Sequence, residues 1–120
     1  MSNTTKLAGI ISTSSNPAEA AEFYRTVFGI LYAINQHGAM PPHFECDVDG
    51  IHFAILKGPK PVGPGSVVPS FQVDDMEAFL SNLGEKGIQP LHKTLELGGG
   101  PRVSTIADPD GNHIRLYAEK

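Results

Sequence analysis

The chain has one cysteine, no tryptophan, and no apolar run near the ~20 residues that a membrane-crossing helix needs. Cys46 alone cannot form an intrachain disulfide, and a zinc cluster built on thiolates is excluded with it. Set in an alternating apolar segment, it reads as a small buried hydrophobe. Positive charge is also scarce: nine Lys and Arg against thirteen Asp and Glu give a formal net charge of −4, and the nine are scattered. Without a basic stripe to neutralise phosphates, nucleic acid is not an expected partner. The start, Met1 to Lys6, is polar, and the expected setting is cytoplasmic and away from membranes.

What the chain has is a repeat. Asp49-Gly50-Ile51-His52-Phe53-Ala54-Ile55-Leu56 is echoed by Asp110-Gly111-Asn112-His113-Ile114-Arg115-Leu116-Tyr117. Upstream, Asn16, Glu19, Ala20, Gly29 and Ile30 are answered by Asp74, Glu77, Ala78, Gly87 and Ile88, each 58 residues later. At 120 residues and 40% hydrophobic content, the two copies have material for one compact core rather than two. They are expected to form a single domain, residues 1–120, with module one at 6–57, a linker at 58–65 and module two at 66–120.

Each copy reads as β-α-β-β-β. In the first, a strand at 7–13 leads to Asn16-Pro17, an N-cap with proline at the first helical position, and Glu19 is placed to complete a capping box. Gly29 ends the helix. Strands follow at 30–35, 43–48 and 51–56, the last two joined by the Asp49-Gly50 turn. Six of the eight residues at 58–65 are Gly or Pro, a composition suited to a linker. In the second copy a strand at 67–73 precedes a helix capped by Asp74 with Glu77 as box partner, and Met76, Phe79, Leu80 and Leu83 follow helical spacing. Gly87 ends it, and strands are expected at 89–97, 102–107 and 112–118. Gly98-Gly99-Gly100 does not open onto a helix and reads as a loop rather than an anion cradle.

Alternation sorts the strands into faces. Phe53, Ile55, Ile114 and Leu116 belong toward the helices. The opposite parity presents His113, Arg115 and Tyr117, then His52, Ala54 and Leu56, then Val68, Ser70 and Gln72. On an open sheet these would be solvated, whereas a duplicated sheet that curls turns them into the lining of a trough between the modules.

These residues resemble the glyoxalase, bleomycin resistance and extradiol dioxygenase superfamily, the vicinal oxygen chelate proteins. The likeness rests on Asn16-Pro17, Glu22-Phe23-Tyr24-Arg25, Phe28-Gly29-Ile30, Val73-Asp74 and the run from Ala107 to Tyr117. It implies an α+β fold in which two β-α-β-β-β modules form a curled eight-stranded mixed sheet, a half-barrel with both helices outside. It also implies a homodimer, and in metal-dependent relatives a divalent ion held by His or Glu from the first and last strand of each module. Those positions fall at Gly9, Ala54, Val68 and Arg115, none of which binds a divalent cation. No metal and no other cofactor is therefore expected.

The expected function is metal-independent binding of a small organic molecule carrying an anionic or hydrogen-bond-accepting group. Arg115 is the expected anchor, with His52, His113, Gln72 and Ser70 as hydrogen-bonding neighbours and Ile11, Leu56 and Tyr117 as apolar walls. An internal ion pair of Arg115 with Glu45 or Asp47 is the structural alternative. The functional alternative is a lyase or isomerase in which Arg115 steadies an oxyanion and His52 or His113 moves a proton, or in which those two histidines hold a displaced metal. A structural or regulatory dimer is a third reading. No residue is assigned as catalytic. His37, His43 and His92 read as surface residues.

Overall fold

The computed structural model describes residues 7–35, 42–59 and 68–119. Most of the expected linker, from residue 60 on, lies outside the described residues, as do His37, Gly38 and Pro41. The chain divides into two compact units, Met1–Lys60 and Pro61–Lys120. Each is α+β with its own four-stranded mixed sheet.

The first unit runs β1 (Gly9–Ser14), α1 (Pro17–Phe28), β2 (Ala33–Asn35), β3 (His43–Val48) and β4 (Ile51–Lys57). Its sheet order is β1-β4-β3-β2, with β1 parallel to β4 and the other pairs antiparallel. The second unit repeats the plan with β5 (Ser70–Gln72), α2 (Met76–Glu85), β6 (Leu95–Glu96), β7 (Arg102–Ala107) and β8 (His113–Ala118), in the order β5-β8-β7-β6. The β-α-β-β-β pattern therefore occurs twice, with β5 again parallel to β8.

The cores follow from parity. Phe53 and Ile55 are buried, as are Ala20, Ala21, Tyr24 and Val27 of α1, and the Tyr24 and Phe53 rings lie 5.7 Å apart. In the second unit Ile106, Ile114 and Leu116 are fully buried, with Met76 and Leu83 of α2 at 1% exposure. Burial of each such side chain contributes roughly 1.5–3 kcal/mol.

Both helices start differently from expectation. Asn16 does cap α1, accepting from the Glu19 N–H at 3.3 Å, but its own N–H donates to Ser14 Oγ rather than to Glu19. Ser14, at the end of β1, reaches that donor first. On α2 the cap is Asp75, not Asp74, and it accepts from Ala78 N–H at 3.1 Å. Gly29 and Gly87 leave both helices in the left-handed conformation, φ 71° and 79°.

The two Asp-Gly turns also differ. Asp49 and Gly50 both have positive φ and join Val48 directly to its partner Ile51, a two-residue hairpin of the primed kind. Between β7 and β8 five residues intervene, because Ala107 pairs with His113. Asp108 organises them: its carboxylate accepts from the N–H groups of Asp110 and Asn112, at 3.0 and 2.8 Å, and from Asn112 Nδ2 at 3.0 Å. β2 and β6 are shorter than the 30–35 and 89–97 expected. Before β6 the chain turns onto β7 instead, with the Leu91 N–H donating to the Thr105 carbonyl at 2.8 Å.

Gly9 sits where a side chain has no room. A Cβ there would lie 2.7 Å from the His52 carbonyl oxygen, its partner across the β1–β4 pair. Gly9→Ala is expected to destabilise the protein by about 1–3 kcal/mol, the usual penalty of overpacking. Urea denaturation reads this directly, and a variant as stable as the parent would show that the strands separate at little cost.

Candidate functional site

The strand pairing of the second unit assembles three of the expected residues on one patch. Ser70 on β5 and Thr105 on β7 both lie opposite Arg115 on β8. Two residues farther along β8, Gln72 lies opposite Tyr117. The Ser70–Arg115–Thr105 row, with His113 and Val68, lines an open recess of about 540 Å³. The face behind it holds Ile114 and Leu116, which anchor β8 against the core and leave the alternate residues outward.

Arg115 is exposed; its backbone N–H donates to the Pro69 carbonyl at 2.8 Å, while its guanidinium makes no hydrogen bond or ion pair among the described residues. The other arginine of this sheet, Arg102, is committed to Glu77 at 3.1 Å. Each recess side chain other than Val68 offers hydrogen-bonding groups, and none is a carboxylate. The arrangement suits a bound anion.

Thr105 belongs to this patch and was legible from parity, since Ile106 faces the core. His92 had no such signal. Its Nε2 lies 2.9 Å from Thr105 Oγ1 and its Nδ1 2.7 Å from the Lys93 carbonyl oxygen. It is exposed, as expected, but it is tied to the rim of the recess.

His52, Ile11 and Leu56 lie on the corresponding open face of the first unit. Ile11 and His52 come from β1 and β4, whose register places Ile11 opposite Ala54. That face has its own polar cluster. Glu45 Oε2 accepts from His43 Nε2 at 2.7 Å and lies 3.5 Å from His52 Nε2, while Glu45 Oε1 accepts from Asn35 Nδ2 at 3.0 Å. The other ring nitrogen of His52 lies 3.3 Å from Asp47 Oδ1. His43, expected on the surface, is instead 4% exposed. Its strand position puts it two residues from Glu45 on the same face, where the carboxylate satisfies a buried imidazole.

Cys46 lies opposite Phe53, on the side facing α1. Burial, and then the nearby Asp47 charge, push its thiol pKa up, which disfavours the nucleophilic thiolate. Burial likewise holds the Tyr32 phenol well above its ordinary range, with Cys46 contributing. Among the described residues no group of three His, Cys, Asp or Glu is placed to hold a metal ion. No helix of the described residues is long and apolar enough to cross a membrane.

The chain and its fold, rather than the recess itself, have relatives among known proteins. The family model of the Glyoxalase/Bleomycin resistance protein/Dioxygenase superfamily matches residues 6–116. A search of the curated proteins finds no match. Among solved structures, a member of that superfamily from Sphaerobacter thermophilus is 22% identical, with 97% of this chain and 98% of that chain covered and a TM-score of 0.78. The fosfomycin resistance protein FosX from Listeria monocytogenes is 13% identical over 98% and 94% of the two chains, with a TM-score of 0.77. A glyoxalase family protein from Enterococcus faecalis is 17% identical over 93% and 96%, with a TM-score of 0.71. At these identities the likeness is one of fold.

Proposed function

Because the chain belongs to the glyoxalase, bleomycin resistance protein and dioxygenase superfamily, we propose that it binds a small organic anion without a metal ion, on the open face of its second sheet. The observation that carries this reading is Arg115: a guanidinium in a recess of hydrogen-bonding side chains, with no counter-charge among the described residues. Such a cation gains most from a carboxylate or another oxyanion. Ser70 and His113 supply shorter-range contacts beside it, and Gln72 and Tyr117 extend the same face.

The residues do not fit the metal of metal-dependent relatives. Of the four corresponding positions, Gly9 has no space for a side chain, Ala54 and Val68 offer no donor atom, and Arg115 is a cation. His52, which would serve a displaced site, has both ring nitrogens turned to carboxylates of its own sheet, Glu45 and Asp47. A cytoplasmic homodimer is the setting we propose, and exposed Leu7, Ile11, Leu31 and Ile34 in the first unit support a surface that another chain covers.

A thermal-shift screen on chelator-treated protein tests the reading. Organic acids are expected to raise the melting temperature as much with chelator as without, and analogues of the same shape with an amine in place of the acid group to have no effect. Stabilisation by divalent metals alone, or by no acid at all, overturns it.

A further inference from the structure

Resting on the reading of the recess as an anion site, we infer that Thr105 is a hydrogen-bond acceptor toward the recess, so that the favoured ligand carries a hydroxyl or N–H donor beside its acid group. Lys93 fixes the tautomer of His92. Its carbonyl oxygen lies 2.7 Å from His92 Nδ1, and a carbonyl only accepts, so Nδ1 carries the proton. In the neutral imidazole Nε2 is then bare. Thr105 Oγ1, 2.9 Å away, donates its single hydrogen to that nitrogen. What the hydroxyl has left for the recess is lone pairs.

The arrangement is held in place twice. The Leu91 N–H donates to the carbonyl of the same Thr105, at 2.8 Å, so the residue beside His92 is tied by backbone to the residue that the imidazole orients. The departure of this segment from the expected strand is what brings the ring over. Across the sheet, Thr105 lies directly opposite Arg115. The recess therefore places an obligate acceptor beside a cation. A simple carboxylate satisfies only the second, and a ligand that crowds an acceptor such as an ether oxygen against Thr105 leaves two acceptors facing each other. The ligand class that satisfies both is an acid with a neighbouring donor, of which 2-hydroxy and 2-amino acids are the simplest.

The test has two arms. Nitrogen-15 NMR of histidine-labelled protein at neutral pH reads the His92 tautomer with no ligand present, and Nδ1–H is expected. A ring protonated at Nε2, alone or together with Nδ1, overturns the inference. In the second arm 3-phenyllactate, its O-methyl ether and 3-phenylpropanoate are titrated against the parent protein, Thr105→Val, His92→Ala and Arg115→Ala. The parent is expected to bind the hydroxy acid about tenfold more tightly than the ether, the scale of one hydrogen bond. Thr105→Val should remove that preference, and His92→Ala should narrow it, because the freed hydroxyl can then donate to the ether. If all three acids bind with equal affinity and Arg115→Ala weakens all of them, Thr105 plays no such part and the anion site stands. If none of the acids binds, the anion site itself fails and this inference falls with it.

Discussion

Arg115→Ala is expected to leave the protein folded while removing about 1.5–3 kcal/mol of affinity for an organic acid, roughly a 10- to 150-fold loss. The side chain is exposed and unpaired among the described residues, so truncating it leaves no buried partner stranded. Its neighbours Ile114 and Leu116, which do hold β8 to the core, are untouched. The melting temperature without ligand should therefore stay close to that of the parent. Arg115→Lys keeps the charge and loses the two-pronged geometry, and should recover part of the affinity. Titration calorimetry alongside thermal unfolding separates the two effects. A variant that melts much earlier yet binds as before would make Arg115 a structural residue and remove the main support for binding.

Asp108→Ala should have the largest effect on stability of any single polar substitution argued from this fold. The carboxylate is 7% exposed and takes three hydrogen bonds within the turn from β7 to β8. At about 1 kcal/mol for each bond, with the stranded donors adding to the cost, the expected loss is about 3 kcal/mol. Asp108→Asn keeps one carbonyl oxygen for the two backbone donors but offers Asn112 an amide nitrogen in place of the second oxygen, so an intermediate loss is expected. Urea denaturation measures both, and a loss below about 1 kcal/mol for the alanine variant would mean that the turn holds itself together by backbone alone.

The β-α-β-β-β plan was legible because its signals are local: proline and asparagine at a helix start, glycine at its end, alternation in β4, β5 and β8. Those alternations also placed Ser70, His113 and Arg115 on one face, and the register confirms that Ser70 and Arg115 are neighbours. The constant offset of 58 residues showed that the module is written twice, and the glycine and proline run marked where the second copy begins. Legibility failed where tertiary packing, rather than local pattern, decides a residue's surroundings. His43 looked like a surface histidine because, although Glu45 lies only two residues away, nothing in the local pattern announces that the ring is buried and bonded to it. His92 looked like part of a strand, since nothing in 89–97 signals that Leu91 would bond to a carbonyl 14 positions away, at Thr105. The cap of α2 was misplaced by one residue because Asp74 and Asp75 are adjacent and chemically identical candidates.

The parallel pairing of the first strand of each module with its last has a consequence for how the molecule comes into being. Gly9 meets His52 and Ser70 meets Arg115, separations of 43 and 45 residues. During synthesis, β1 and β5 emerge long before the strands that complete their hydrogen bonding, whereas the β3–β4 hairpin can close within a few residues of its turn. Contacts of such long range are the slow ones to form, because the loop between them must be ordered first. In the second module the delayed strand is β8, and β8 is also the element that carries His113 and Arg115. A nascent chain released before residue 113 holds α2, yet lacks both the partner of β5 and the cation of the recess. The proposed binding face is therefore completed only when β8, the last element of the described residues, has been made.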